Sequence, residues 1–129
     1  MLESYIQRRL EENDILLMTH IVLGYPSFDD NLRLIEAMTA AGVDLMELQI
    51  PCSKPFADGP VISRANQQAL KGGATVANCL NLAGEAARTF HIPFLIMTYY
   101  NVPVRYGLDR FVTAIAQGGL RGAIIPDLP

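Results

Sequence analysis

Val43-Asp44-Leu45-Met46-Glu47-Leu48-Gln49-Ile50 runs directly into Pro51-Cys52-Ser53-Lys54-Pro55-Phe56-Ala57-Asp58-Gly59-Pro60, and the junction of the two stretches decides the fold. The first has the length of a strand. Side chains alternate across a strand, so Leu45, Glu47 and Gln49 share one face while Met46, Leu48 and Ile50 share the other. The second holds three prolines and a glycine, so it forms no regular element and reads as a long ordered loop, the kind of segment that often carries function. Helical spacing resumes at Ile62, Ala65 and Ala69, until Gly72-Gly73 breaks it. Strand, loop, helix is the repeating unit of a parallel sheet covered on both faces.

The same unit recurs outward in both directions. Upstream, Leu2, Ile6 and Leu10 predict a short leading helix over Leu2 to Glu12, and Ile15 to Leu23 is an apolar run of strand type ending at Gly24-Tyr25-Pro26. Ser27 caps a helix striped by Leu32, Ile35, Met38 and Ala41, with Gly42 placed to end it. Downstream, Thr75 starts a helix with Val76, Leu80, Ala83 and Ala87 inward, and Pro93 to Thr98 is the third strand. A loop over Tyr99 to Gly107 leads to a helix with Leu108, Phe111, Val112 and Ile115 on one side. Gly122 to Ile125 is the fourth strand, followed by Pro126-Asp127-Leu128-Pro129.

Four such alternations fit an open doubly wound sheet or part of a (β/α)₈ barrel, whose roughly 250 residues are about twice this length. The turn Gly24-Tyr25-Pro26-Ser27 has neither the GxGxxG nor the GxxxxGK[ST] form of a nucleotide-binding sheet. The polar residues best suited to chemistry lie at strand C-termini, where barrel active sites are built. The expectation is therefore an α/β chain of (β/α)₈ TIM-barrel type, with residues 1–129 forming the first half of a single domain. A chain ending on a strand with no covering helix leaves an open edge, which predicts self-association or a fragment.

Composition narrows the function classes. Half of the 129 residues are apolar and the formal charge is −3 with ten scattered basic residues, so no basic stripe is available for nucleic acid. No apolar run reaches the roughly 18 to 20 residues of a membrane span. Two cysteines, Cys52 and Cys79, lack metal-ligand spacing, and the charged N-terminus is unlike a signal peptide; together these predict a reducing, cytoplasmic setting.

Glu47 is a carboxylate in apolar company, where burial raises proton affinity towards that of a general acid or base unless a cation opposes it. A paired structural glutamate is the plain alternative. Asp58 lies eleven residues on, in the loop beyond the same strand; it either folds back into one pocket with Glu47 or is a turn aspartate before Gly59. His20 reads as a packed core histidine and His91 as a residue at a helix end. Neither Ser53 nor Cys52 has a partner that would make it a nucleophile. Tyr99, Tyr100 and Asn101 either present a surface to a ring ligand or anchor their loop.

Three ordered stretches, Glu47 to Pro60, Met97-Thr98-Tyr99-Tyr100-Asn101 and Pro126 to Pro129, resemble the tryptophan synthase α-subunit family, and the likeness runs from the leading helix to the last residue. The resemblance implies a TIM barrel that cleaves indole-3-glycerol phosphate into indole and glyceraldehyde 3-phosphate, passing indole to a β subunit. It implies Glu47 as general acid/base, Asp58 as acceptor of the indole N–H and Tyr99 as a wall of the indole pocket, with no metal or organic cofactor. It also places Pro51, Lys54, Pro55, Asn101, Val104, Asp127 and Pro129 at the β-subunit interface.

The sequence departs from that family at four positions. Gln49 stands where glycine is usual, Cys52 for phenylalanine, Lys54 for an acidic residue and Tyr25 for the aspartate of a Gly-Asp-Pro turn. Phosphate in such barrels is commonly held by loops after strands 7 and 8, so these four strands by themselves are expected to catalyse weakly. A non-catalytic half-barrel that binds a β-type subunit or itself is the alternative reading.

Overall fold

Four strands, β1 (Met18–Val22), β2 (Leu45–Gln49), β3 (Phe94–Met97) and β4 (Gly122–Ile124), pair in the order β1-β2-β3-β4 in a computed structural model that describes all 129 residues. Every pair is parallel. Neighbours in sequence are thus neighbours in space, with none of the order reversal that creates the switch point of a doubly wound sheet. The sheet is an arc of the (β/α)₈ barrel type, four of its strands.

Register sorts the side chains. His20 lies opposite Glu47 and Glu47 opposite Leu95, while Val22, Gln49, Met97 and Ile124 form the next row. Paired residues share a face, so Glu47 and Gln49 stand on the concave side with His20, Leu95 and Met97. The opposite face carries Ile21, Met46, Leu48, Phe94 and Ile96 into a core of 20 buried residues.

Helix α1 (Leu2–Glu12) precedes the sheet and buries no residue, whereas α2 (Phe28–Ala40), α3 (Pro60–Lys71), α4 (Val76–Thr89), α5 (Asn101–Tyr106) and α6 (Leu108–Gln117) cover that core. Ser27 Oγ accepts from the Asp30 amide at 3.0 Å and Thr75 Oγ1 from the Asn78 amide at 3.1 Å, satisfying amides that the first turns of α2 and α4 leave free. Each such cap contributes about 0.5–2 kcal/mol. Gly24 follows β1 at φ +87°, and a Cβ there would stand 2.8 Å from that of Ala74, so only glycine lets the β1 loop pass so close to the α3–α4 turn.

Three expectations need correction. The first strand is shorter than Ile15 to Leu23: Ile15 is 82% and Leu17 56% exposed, because β1 has a hydrogen-bonded neighbour on one side only. The segment after the third strand is not a plain loop, since Asn101–Tyr106 forms α5 with Pro103 inside it. Proline is tolerated there because the first turn of a helix has no intrahelical acceptor for its N–H groups. In α6 only Phe111 is buried, while Leu108 and Val112 of the expected stripe are exposed.

The N-terminal end of the sheet is sealed by one carboxylate. Asp44 Oδ1 accepts from Arg9 Nε and Nη2 at 2.9 and 2.7 Å, and Oδ2 accepts from the Leu17 amide at 2.8 Å. The Asp44 carbonyl accepts from Tyr5 Oη at 2.6 Å, so α1 is tied to the start of β2 at two points. The Leu17 amide, and then Arg9, hold the Asp44 carboxyl below its ordinary range against the opposing effect of burial.

Candidate active site

β2 ends by delivering Gln49, whose side chain is fully buried, to the C-terminal rim of the sheet. The loop beyond it doubles back: the Phe56 amide bonds the Lys54 carbonyl and the Asp58 amide the Pro55 carbonyl, each at 2.9 Å. These turns bring Asp58 over the strand end. Asp58 Oδ2 accepts from Gln49 Nε2 at 3.0 Å and from Tyr99 Oη at 2.9 Å. Its Oδ1 accepts nothing from the protein, and no basic side chain pairs with it. One oxygen is therefore clamped and the other is open.

Tyr99 comes from the end of β3 and is fully buried. Its hydroxyl accepts from the Ala57 amide at 3.2 Å while donating to Asp58, and the exposed Phe56 ring lies over it at a centroid distance of 4.8 Å. Burial, the hydrogen bond to Asp58 and the Asp58 charge push the Tyr99 hydroxyl up to about 12, so it stays a donor across the physiological range.

Glu47 is half-buried on the same concave face, two residues before Gln49 and so roughly 6.5 Å along the strand from it. It forms no ion pair, and no protein group hydrogen-bonds its side chain. Its carboxyl group is thus not committed to a structural partner. Glu47, in the middle of β2, shares a face with Gln49 at its end, and the Gln49 amide reaches Asp58 beyond the strand. No three His, Cys, Asp or Glu side chains converge as a metal centre.

Sequence reasoning missed two residues. Gln49, marked in the sequence only as standing where glycine is usual, is its hub: besides Asp58 it meets His20, with His20 Nε2 and Gln49 Oε1 at 2.8 Å. His20 is accordingly half-buried and hydrogen-bonded on the concave face, not packed in the core. Asn66 is buried on α3, where its Oδ1 accepts from the Cys52 amide at 2.7 Å and its Nδ2 donates to the Ile62 carbonyl at 2.8 Å. The available signal was an amide side chain four residues after Ile62, on the apolar stripe of that helix.

The loops after β2, β3 and β4 come together beside this site. Asp127 Oδ1 accepts from the Tyr100 amide at 2.8 Å, and Cys52 Sγ lies 3.9 Å from Asn101 Oδ1. Pro51 and Asn101 line one groove of about 420 Å³ with Cys52, Val102, Arg105 and Tyr106. Lys54, Val104 and Pro129 are exposed, whereas Pro55 is buried.

Comparison with known proteins adds ancestry to this geometry. Residues 6–129 match the family model described as tryptophan synthase alpha chain. The chain is similar to the tryptophan synthase alpha chain of Desulforapulum autotrophicum, with 57% identity over 129 residues covering 100% of this chain and 51% of that protein. It is 55% identical to that of Syntrophotalea carbinolica at the same coverage. Among solved structures, it superposes on a tryptophan synthase from M. tuberculosis with a TM-score of 0.92 at 33% identity, covering 98% of this chain and 51% of the other. The chain spans about half the length of the curated relatives it matches.

Proposed function

The chain belongs to the tryptophan synthase alpha chain family, and from that premise we propose that it carries the proton-transfer half of a carbon–carbon lyase that cleaves indole-3-glycerol phosphate into indole and glyceraldehyde 3-phosphate. In this reading residues 1–129 are the N-terminal half of one barrel domain, acting in the cytoplasm. The observation that carries the reading is the Asp58 carboxylate, clamped through Oδ2 with Oδ1 open, on the same face as an unbonded Glu47.

The chemistry needs those two acids in different states. A proton is delivered to the indole ring carbon that bears the side chain, giving a cationic indolenine. The bond from that carbon to the glycerol chain then breaks, its electron pair returning to the ring, while the hydroxyl on the departing carbon loses its proton and becomes the aldehyde. Glu47 gives and takes these protons, a task suited to a carboxyl with no structural partner. Asp58 Oδ1 accepts the ring N–H, and its negative charge stabilises the cation where it develops. Tyr99 borders the ring pocket and keeps the second Asp58 oxygen occupied. No phosphate grip is assigned to these 129 residues, so the rate they support by themselves is low.

The loops after β2, β3 and β4 are assigned to a β-type subunit, with Pro51, Lys54, Asn101, Val104, Asp127 and Pro129 facing it. Pro51 and Pro55 are both buried, Pro51 at the wall of the groove. The groove through Pro51 and Asn101 supports this placement.

Indole release from indole-3-glycerol phosphate by the purified protein, alone and with a β-type subunit, tests the proposal. Glu47→Ala is expected to lower the rate by about 100-fold or more. If neither protein releases indole while a β-type subunit co-purifies, the chain is a binding partner and not a lyase.

A further inference from the structure

We infer that Gln49 is a positioning residue, which with His20 and Tyr99 holds the Asp58 carboxylate so that a single oxygen faces the ligand. The inference rests on the reading of Asp58 as an N–H acceptor and goes beyond it, by naming what aims that acceptor and what it selects.

A primary amide is the one side chain of this length that suits the position. It must donate to a carboxylate on one side, at 3.0 Å, and accept from an imidazole N–H on the other, at 2.8 Å. A glutamate would set two carboxylates against each other, and an apolar residue would leave half-buried Asp58 one donor short. A third contact, 3.5 Å to Asn66 Oδ1, ties the amide towards α3, and Asn66 is itself fixed by the Cys52 amide and the Ile62 carbonyl. The orientation of Asp58 is thus set from β1, β2, α3 and the end of β3 together.

Two consequences follow from the directions of these bonds. With the Gln49 NH₂ committed to Asp58, its oxygen faces His20, so His20 carries its proton on Nε2. With Oδ2 holding two donors, Asp58 offers one acceptor, which suits a ring with a single N–H and disfavours a guanidinium or amidine that would bind through both oxygens.

The test has two arms on the same protein. Nitrogen-15 NMR of the histidines reads the His20 tautomer, and the kinetics of indole release read the aim of Asp58. The expected result is His20 as the Nε2–H tautomer in the wild type, loss of that fixed tautomer in Gln49→Met, a variant of similar shape, and about a tenfold fall in kcat/KM. A wild-type His20 protonated on Nδ1 alone would overturn the inference, with no variant needed, and so would a Gln49→Met enzyme within twofold of wild type. If the wild type releases no indole, the lyase reading fails separately. The tautomer then decides the positioning claim on its own: Nε2–H lost in the variant upholds it, and any other result removes it.

Discussion

Two aspartates sit at opposite ends of β2 and are treated in opposite ways. Asp44, at the N-terminal end, has both oxygens occupied, one by the Arg9 guanidinium and one by the Leu17 amide. Asp58, over the C-terminal end, receives neutral donors on one oxygen and nothing from the protein on the other. A saturated carboxylate paired with a cation is a fastening. A clamped carboxylate with an open oxygen and no cation is ready to receive a donor from outside the chain. Asp44 is buried and Asp58 half-buried, but the count and charge of their partners set them further apart.

One substitution made at both ends tests the contrast. The largest effect is expected from Asp58→Asn on activity. The amide oxygen can still accept from Gln49 and Tyr99, but an NH₂ then occupies the open position and cannot accept the ring N–H. Losing a charged hydrogen bond of about 1.5–3 kcal/mol lowers kcat/KM by roughly 10- to 100-fold, while the urea midpoint stays close to wild type. Equal losses of stability and activity would show that Asp58 is a second fastening.

Asp44→Asn should do the reverse. Both oxygens face donors there, so the new NH₂ must point at one of them, and stability falls by about 1–3 kcal/mol in urea denaturation. The intrinsic rate of the folded fraction is unchanged.

Smaller effects appear in the pH dependence of stability. The Asp44 carboxyl is lowered in the fold from 3.8, so its contribution is fully present above that value and is lost as acid titrates it through the lower folded value. Urea midpoints measured from pH 5 downward should fall less steeply in Asp44→Asn. At the other end of the strand the sign is opposite. Tyr99 is raised from 10.0 to about 12, so the folded state holds that proton more tightly and stability declines as pH rises from about 10 to about 12. Buried Cys79, raised from 9.0 to about 12, adds to the same alkaline decline. Tyr99→Phe should therefore remove part of it, and Cys79→Ala another part.

Much of the fold was legible because its causes are local. The leading helix spans Leu2–Glu12 as its spacing predicts, and Ser27 and Thr75 cap the helices that they announce. What was not legible depends on neighbours distant in the chain. The exposure of Ile15 and Leu17 reflects β1 having one strand neighbour, which no window of sequence states. The helix through Pro103 was hidden because proline marks both breaks and first turns. Glu47 and Asp58 were visible as acids near one strand end, but Gln49 and His20 are 29 residues apart, and nothing in either segment announces that they bond.

The amino-acid order by itself determined the alternation of strand and helix, the face of β2 on which Glu47 stands, and a family likeness concentrated in three short stretches. These follow from periodicity, turn chemistry and shared residues, all properties of contiguous chain. The tertiary structure alone decided that the strands pair in sequential order, that Asp44 is closed while Asp58 is half open, and that an amide from β2 links Asp58 to His20. Hydrogen bonds over such separations exist only after the strands have docked, because direction and distance between donor and acceptor are set by the packed backbone and not by the residues that carry them.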